Sequence, residues 1–184
     1  MLIEHHREKL INGIIYFVKN TRYCGKTKLF KLLYYLDFIH FRETGKSITG
    51  LDYYAWDFGP VPAELYNEMN ELPTDLKESI TIIKNKDKDF IEIKPKKKFD
   101  NKFFTKRELR LLDKIAYIFK DAKAEQMVES THLLNEPWHT TINKTGEKSR
   151  IDYFLALDNS KDSLLLEEAL ERVKDREKLK KALA

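Results

Sequence analysis

The sequence predicts an α+β fold: a mainly helical single domain with a small antiparallel β-sheet or hairpin, followed by a charged C-terminal helix. Three observations carry this. Apolar residues recur at helical spacing in several separate stretches. Two short alternating runs, "SITIIK" and "DFIEIK", flank the turn-forming "NKDK". The stretch from residue 161 sets a line of leucines among dense charge.

Residues 2 to 19 read as the first helix, with Ile3, Leu10, Ile14, Phe17 and Val18 in phase. "NTRYCG" interrupts it. Residues 26 to 44 read as a second helix, apolar on more than one side: Leu29, Leu32, Leu33 and Leu36 on one stripe, Phe30, Tyr34 and Phe41 on another. Such a helix is central and buried, and Gly45 is its natural stop. Lys26, Lys28 and Lys31 stand at its start, against the helix dipole, as a solvated end or a face for an acidic partner.

"DYYAWDF" reads as a strand. Alternation sets Tyr54, Trp56 and Phe58 on one face, and Tyr53, Ala55 and Asp57 on the other. "PVPAELYNEMNEL" reads as a helix with proline in its first turn, Leu65, Met69 and Leu72 inward, and Pro73 as its end. Residues 79 to 84 and 89 to 94 form the arms of the hairpin. "PKKKFDNK" is a basic surface connection.

Thr105 and Glu108 form a capping-box signature, with Phe104 and Leu109 placed as a hydrophobic staple. That helix continues inward through Leu112, Ala116 and Phe119. A fifth helix, 123 to 134, carries Met127, Val128 and Leu134. "NEPWHTTINKTGEKS" reads as irregular, because Pro137 and Gly146 interrupt it. "IDYFLAL" is a short strand or an apolar loop. In the helix of 161 to 182, Leu166, Leu170 and Val173 need cover, which favours packing on the body.

The 184 residues suffice for one domain with a real core and an appendage. Eleven Phe and nine Tyr exclude a disordered chain. Cys24 is the sole cysteine, which excludes an internal disulfide and a cysteine-based zinc site. The first twenty residues carry charge throughout, unlike a signal peptide. No run of about 18 uncharged apolar residues occurs, so no membrane span and a cytoplasmic location are expected.

No phosphate-binding glycine loop is present; the "GKT" within "CGKTK" lacks the preceding glycines. His5, His6, His40, His132 and His139 show no metal-ligand spacing, so neither metal nor cofactor is expected. Cys24 reads as a small apolar residue. No catalytic constellation emerges, and the chain is read as a non-enzyme. Net charge is +4, and the lysine runs at 94–98 and 176–181 are scarcely interleaved with aromatics. These runs read as solvated charge, with a nucleic-acid-binding regulator as the alternative they motivate.

One stretch is far more specific. "KTKLFKLLYYLDFIHFRETGKSITGLDYYAWDFGPVPAELY", residues 26 to 66, resembles the Panacea domain of SocA-like antitoxins. Lys28, Leu29, Lys31, Leu32, Leu33, Tyr34 and Asp37 match the family's helix. Gly45, Ile48, Thr49 and Gly50 match its link, and Tyr54, Ala55, Trp56, Gly59, Pro60 and Val61 match its strand and corner. "EPWHTT" and the segment near Gly146 extend the resemblance to residues 5–155, with 161–184 as an extension outside it. Asp57 stands where many relatives carry a basic residue.

The resemblance implies a bacterial or phage antitoxin that neutralises a cognate toxin, encoded by the adjacent gene, through direct protein–protein binding. It also implies, as an alternative, an adaptor that delivers the toxin to an ATP-dependent protease. Lys28, Leu32, Tyr34, Asp37, Gly50, Trp56, Gly59 and Pro60 are read as scaffold, with Trp56 and Phe58 packed on Leu33 and Leu36. Lys46, Tyr53, Asp57, Glu64 and Tyr66 are read as exposed, toxin-facing residues, since aromatic and charged side chains suit an interface.

Overall fold

The computed structural model describes residues 4–84, 91–133 and 136–183. Helices α1 (His6–Asn20) and α2 (Lys26–Thr44) lead into a two-stranded antiparallel sheet, β1 (Tyr53–Trp56) and β2 (Gly59–Pro62). Two short helices follow, α3 (Ala63–Glu68) and α4 (Thr74–Ser79), then a second antiparallel pair, β3 (Ile80–Lys84) and β4 (Ile91–Pro95). The chain closes with α5 (Lys106–Ile118), α6 (Ala124–Thr131), α7 (Pro137–Thr145) and α8 (Leu166–Leu183). Single 3-10 turns occupy Asn101–Phe103 and Tyr153–Ala156. The turn expected at 85–88, the start of the second hairpin arm and Leu134 lie outside the described residues.

Helix α2 is the axis of the molecule. Leu29, Leu32, Leu33 and Leu36 are wholly buried, and Phe30, Tyr34, Phe38 and Phe41 nearly so. Helices α1, α5 and α6, strand β2 and the turn at Tyr153–Ala156 all pack against it. Gly45 ends it in the left-handed region, φ 73°, as glycine permits. Lys28 and Lys31 are not a solvated end: both are buried.

The capping box of α5 is complete. Thr105 Oγ1 accepts from the Glu108 amide at 3.3 Å, and Glu108 Oε2 accepts from the Thr105 amide at 2.7 Å. The other oxygen of Glu108 accepts from Lys9 Nζ at 2.7 Å, a buried pair that ties α1 to α5.

Several expectations are corrected. "GPVP" is a strand, not a first helical turn, and the helix after it is only Ala63–Glu68. Pro60 and Pro62 share parity, so their missing N–H groups fall on the edge of β2 away from β1, where no ladder bond is lost. The face assignment of β1 is reversed: Tyr53 and Ala55 are buried, Trp56 is half-buried and Phe58 is 74% exposed. Residues 137–145 are helical because Pro137 stands at the first helical position and Gly146 at the stop, where both residues suit a helix. In α8 only Ala169 is buried; Leu166 and Leu170 are about half exposed. That helix is held instead by Arg176 donating to the Gly45 carbonyl at 3.1 Å and by a Lys180–Glu4 ion pair.

Candidate functional site

The chemistry of α2 centres on Asp37, which is fully buried. The link after the helix wraps around it. The amides of Ile48 and Thr49 each donate to Oδ1 at 2.8 Å. The Thr49 hydroxyl donates to Oδ2, as does Tyr53 Oη, the latter at 2.8 Å. Burial pushes the Asp37 carboxyl above its ordinary value, and these four donors oppose the push. Gly50 then turns the chain at φ 72°, with the His6 ring where a Cβ would stand. Tyr53 is therefore not exposed: its ring is enclosed by Tyr34, Phe38 and Tyr153.

Two lysines of α2 hold backbone. Lys28 Nζ donates to the carbonyls of Arg22 and Ala122 at 2.7 and 2.6 Å, and to that of Lys120 at 3.3 Å. This clamps the α1–α2 turn to the end of α5. Lys31 Nζ donates to the Pro60 carbonyl at 3.0 Å, on the outer edge of β2 that the prolines leave unpaired. Burial holds the Lys31 ammonium down at about 7. Gly59 is the corner of this seat, at φ 94°. A Cβ there would stand 2.7 Å from Thr131 Oγ1 and 2.9 Å from Lys31 Cε.

Around that seat lies an exposed ridge. Asp57 and Phe58 form the tip of the β1–β2 turn and are exposed. Behind them the half-buried Trp56 meets Tyr66 edge to face, ring centres 4.9 Å apart, and Tyr66 in turn meets Phe30 and Lys26. Trp138 of α7 donates from Nε1 to the Trp56 carbonyl at 2.9 Å and stacks on His132. Leu133, next to His132, is 59% exposed.

The structure thus brings Asp57 and Tyr66 to one region beside Trp56, with Tyr66 half-buried against the core rather than exposed and the exposed Glu64 on the same short helix. Lys46 is half-buried and lines a separate cavity with His6, Lys9 and Arg176. Of the residues read as scaffold, Lys28, Leu32, Tyr34, Asp37, Gly59 and Pro60 are buried, Trp56 is half-buried and Gly50 is exposed. Sequence reasoning missed Phe58 and Leu133 as exposed apolar residues. The position of Phe58, directly before a turn glycine, was the one available signal.

Among the described residues no group of three or more His, Cys, Asp or Glu is placed to hold a metal ion. No helix among them is long and apolar enough to cross a membrane. No significant match was found among curated proteins or solved structures. The family model described as "Antitoxin SocA-like, Panacea domain" matches residues 29–139, more than half of the chain. That span contains the Asp37 hub, the Lys31–Gly59 seat and the Trp56–Trp138 link, and by it the chain belongs to the SocA-like antitoxin family of the Panacea domain.

Proposed function

We propose that this chain neutralises a cognate protein toxin, encoded by the adjacent gene, by direct binding rather than by catalysis. The observation that carries this reading is the family match over residues 29–139. The ridge at the β1–β2 turn supports it physically. Phe58 at the turn tip and Leu133 after α6 are large apolar side chains left in water, and Asp57 beside Phe58 and Glu64 on α3 are exposed charges. Apolar anchors rimmed by charge are the composition of a binding surface. Asp57, Glu64 and Tyr66 are assigned to the toxin interface with Phe58 at its centre. Lys46 belongs to it only if the toxin extends to the cavity beside α1 and α8. We assign the neutralising surface to the body up to residue 155, and treat residues 161–184 as an extension, since α8 buries only Ala169.

Co-expression with the neighbouring open reading frame tests this, followed by affinity capture of this chain. The expected result is a neighbour that is lethal alone, harmless with this protein, and recovered with it in an equimolar complex. Rescue without a complex, together with a shortened toxin half-life when an ATP-dependent protease is present, would replace sequestration by proteolytic delivery. A harmless neighbour would overturn the assignment of that gene as the toxin.

A further inference from the structure

Helix α8 meets the body along one side. Ala169 is the buried residue of that side, and Arg176 and Lys180 tie it to Gly45 and Glu4. Next to it, Leu166, Leu170 and Val173 recur at spacings of four and three residues and so share a face. Leu166 and Leu170 are about half exposed, and Val173 is half-buried. The body does not cover this face. The helix lies beyond residue 139, where the family match ends.

The charges of α8 indicate what does. Its first half, 166–171, carries acids and no base, and its second half, 172–183, is mainly basic. Part of that charge is used within the chain: Arg176 and Lys180 face Glu4, and Lys178 faces Asp175. Glu167 and Glu171 in the first half, and Lys174 and Lys181 in the second, are exposed and have no ion pair among the described residues. Acid first and base last also suits the helix dipole, but the dipole gives no reason for uncovered leucines beside those charges. A second α8 laid antiparallel accounts for both. It sets acidic half against basic half, whereas a parallel one sets like against like. In the register where Leu170 of one copy meets Val173 of the other, Glu167 comes beside Lys174 of the second copy, and the two-fold axis repeats that pair.

We propose that this protein self-associates through an antiparallel pair of α8 helices, with Leu166, Leu170 and Val173 as the seam and Glu167–Lys174 pairs closing its flank. So few apolar side chains make a small contact, and the dimer is therefore weak and concentration-dependent. This inference goes beyond toxin neutralisation and does not rest on it.

Sedimentation equilibrium of the full chain at low salt, up to about 1 mM, tests it, since a contact this small belongs to the weak end of protein association. A reversible monomer–dimer equilibrium is expected. Leu170→Lys changes a position already half in water, so the circular dichroism spectrum is unchanged. The same change weakens dimerisation about tenfold or more. Glu167→Lys and Lys174→Glu each set like charges across the seam and weaken it about fivefold. The double reversal, carrying both changes, restores it. Positions 167 and 174 are too far apart to pair within one helix, so that restoration arises between copies, and it carries the test if Leu170→Lys fails to fold. A chain that stays monomeric over this range overturns the proposal. So does a dimer indifferent to Leu170→Lys, or one that the double reversal leaves as weak as the single changes. A monomeric chain whose toxin complex is weakened by Leu170→Lys also overturns it and assigns the face to the toxin.

Discussion

Tyr53 donates its phenolic hydrogen to Asp37 at 2.8 Å, so a tyrosine next to an exposed turn is locked into the centre of the core. Asp37→Ala strands the buried amides of Ile48 and Thr49 together with two hydroxyls. It is expected to destabilise the fold by at least about 3 kcal/mol, and Tyr53→Phe by about 1–2 kcal/mol. Urea unfolding monitored by circular dichroism measures both. A loss within about 0.5 kcal/mol for Asp37→Ala would remove the hub from the account of stability.

Gly59→Ala sets a methyl group into the space of Thr131 Oγ1 and the Lys31 side chain, at a φ of 94° that L-residues rarely adopt. The expected loss is about 2–3 kcal/mol, visible as a lowered melting temperature. Gly146→Ala is the useful contrast. Its φ is also positive, at 86°, but nothing lies within 4 Å of the added carbon. It tests backbone strain alone and should cost less.

Lys31 gives a pH dependence with a definite sign. Its folded pKa is about 7, against about 10.4 for an unfolded lysine. Between those values the unfolded lysine binds more protons, so the contribution of Lys31 to stability rises with pH from about 7 and is flat below it. Cys24, pushed up to about 11 by burial, acts in the opposite sense once an unfolded thiol ionises, near pH 8.5. Read between pH 7 and 8.5, wild type should gain about 1–2 kcal/mol and Lys31→Met should be flat. Parallel slopes for the two proteins would show that Lys31 does not titrate in this range.

On the proposed interface, Phe58→Ala should leave the melting temperature within about 1 °C, because the ring is already in water. The same change should weaken the toxin complex about tenfold or more, the effect of truncating an interface anchor. Asp57→Lys should act mainly on the association rate and its salt dependence. Biolayer interferometry at two salt concentrations separates these effects. Unchanged binding in both variants would move the interface away from the β1–β2 turn.

Local signals in the sequence were legible. The bounds of α2, its stop at Gly45 and the Thr105–Glu108 capping box all depend on residues within a few positions of one another. What escaped depends on distant partners. Alternation divides β1 into two faces, but only Asp37, sixteen residues earlier, selects the Tyr53 face as the inner one. The prolines of β2 look like a helical start until Lys31 is seen to serve the carbonyl of Pro60. In α7, proline and glycine mark the limits of a helix, yet in sequence the same two residues read equally as interruptions.

The Asp37 hub also bears on the order of folding. Its bonds to Ile48, Thr49 and Tyr53 span only 11, 12 and 16 residues. The Trp138–Trp56 and Lys9–Glu108 ties span 82 and 99. Short loops lose little entropy on closing, so α2 and its wrapped link are expected to assemble first, with α5 and α7 docking on a finished seam. In stopped-flow kinetics, Tyr53→Phe should then slow refolding, whereas Lys9→Met should mainly speed unfolding. One buried aspartate would thereby make residues 37–53 the nucleus on which the rest of the chain condenses.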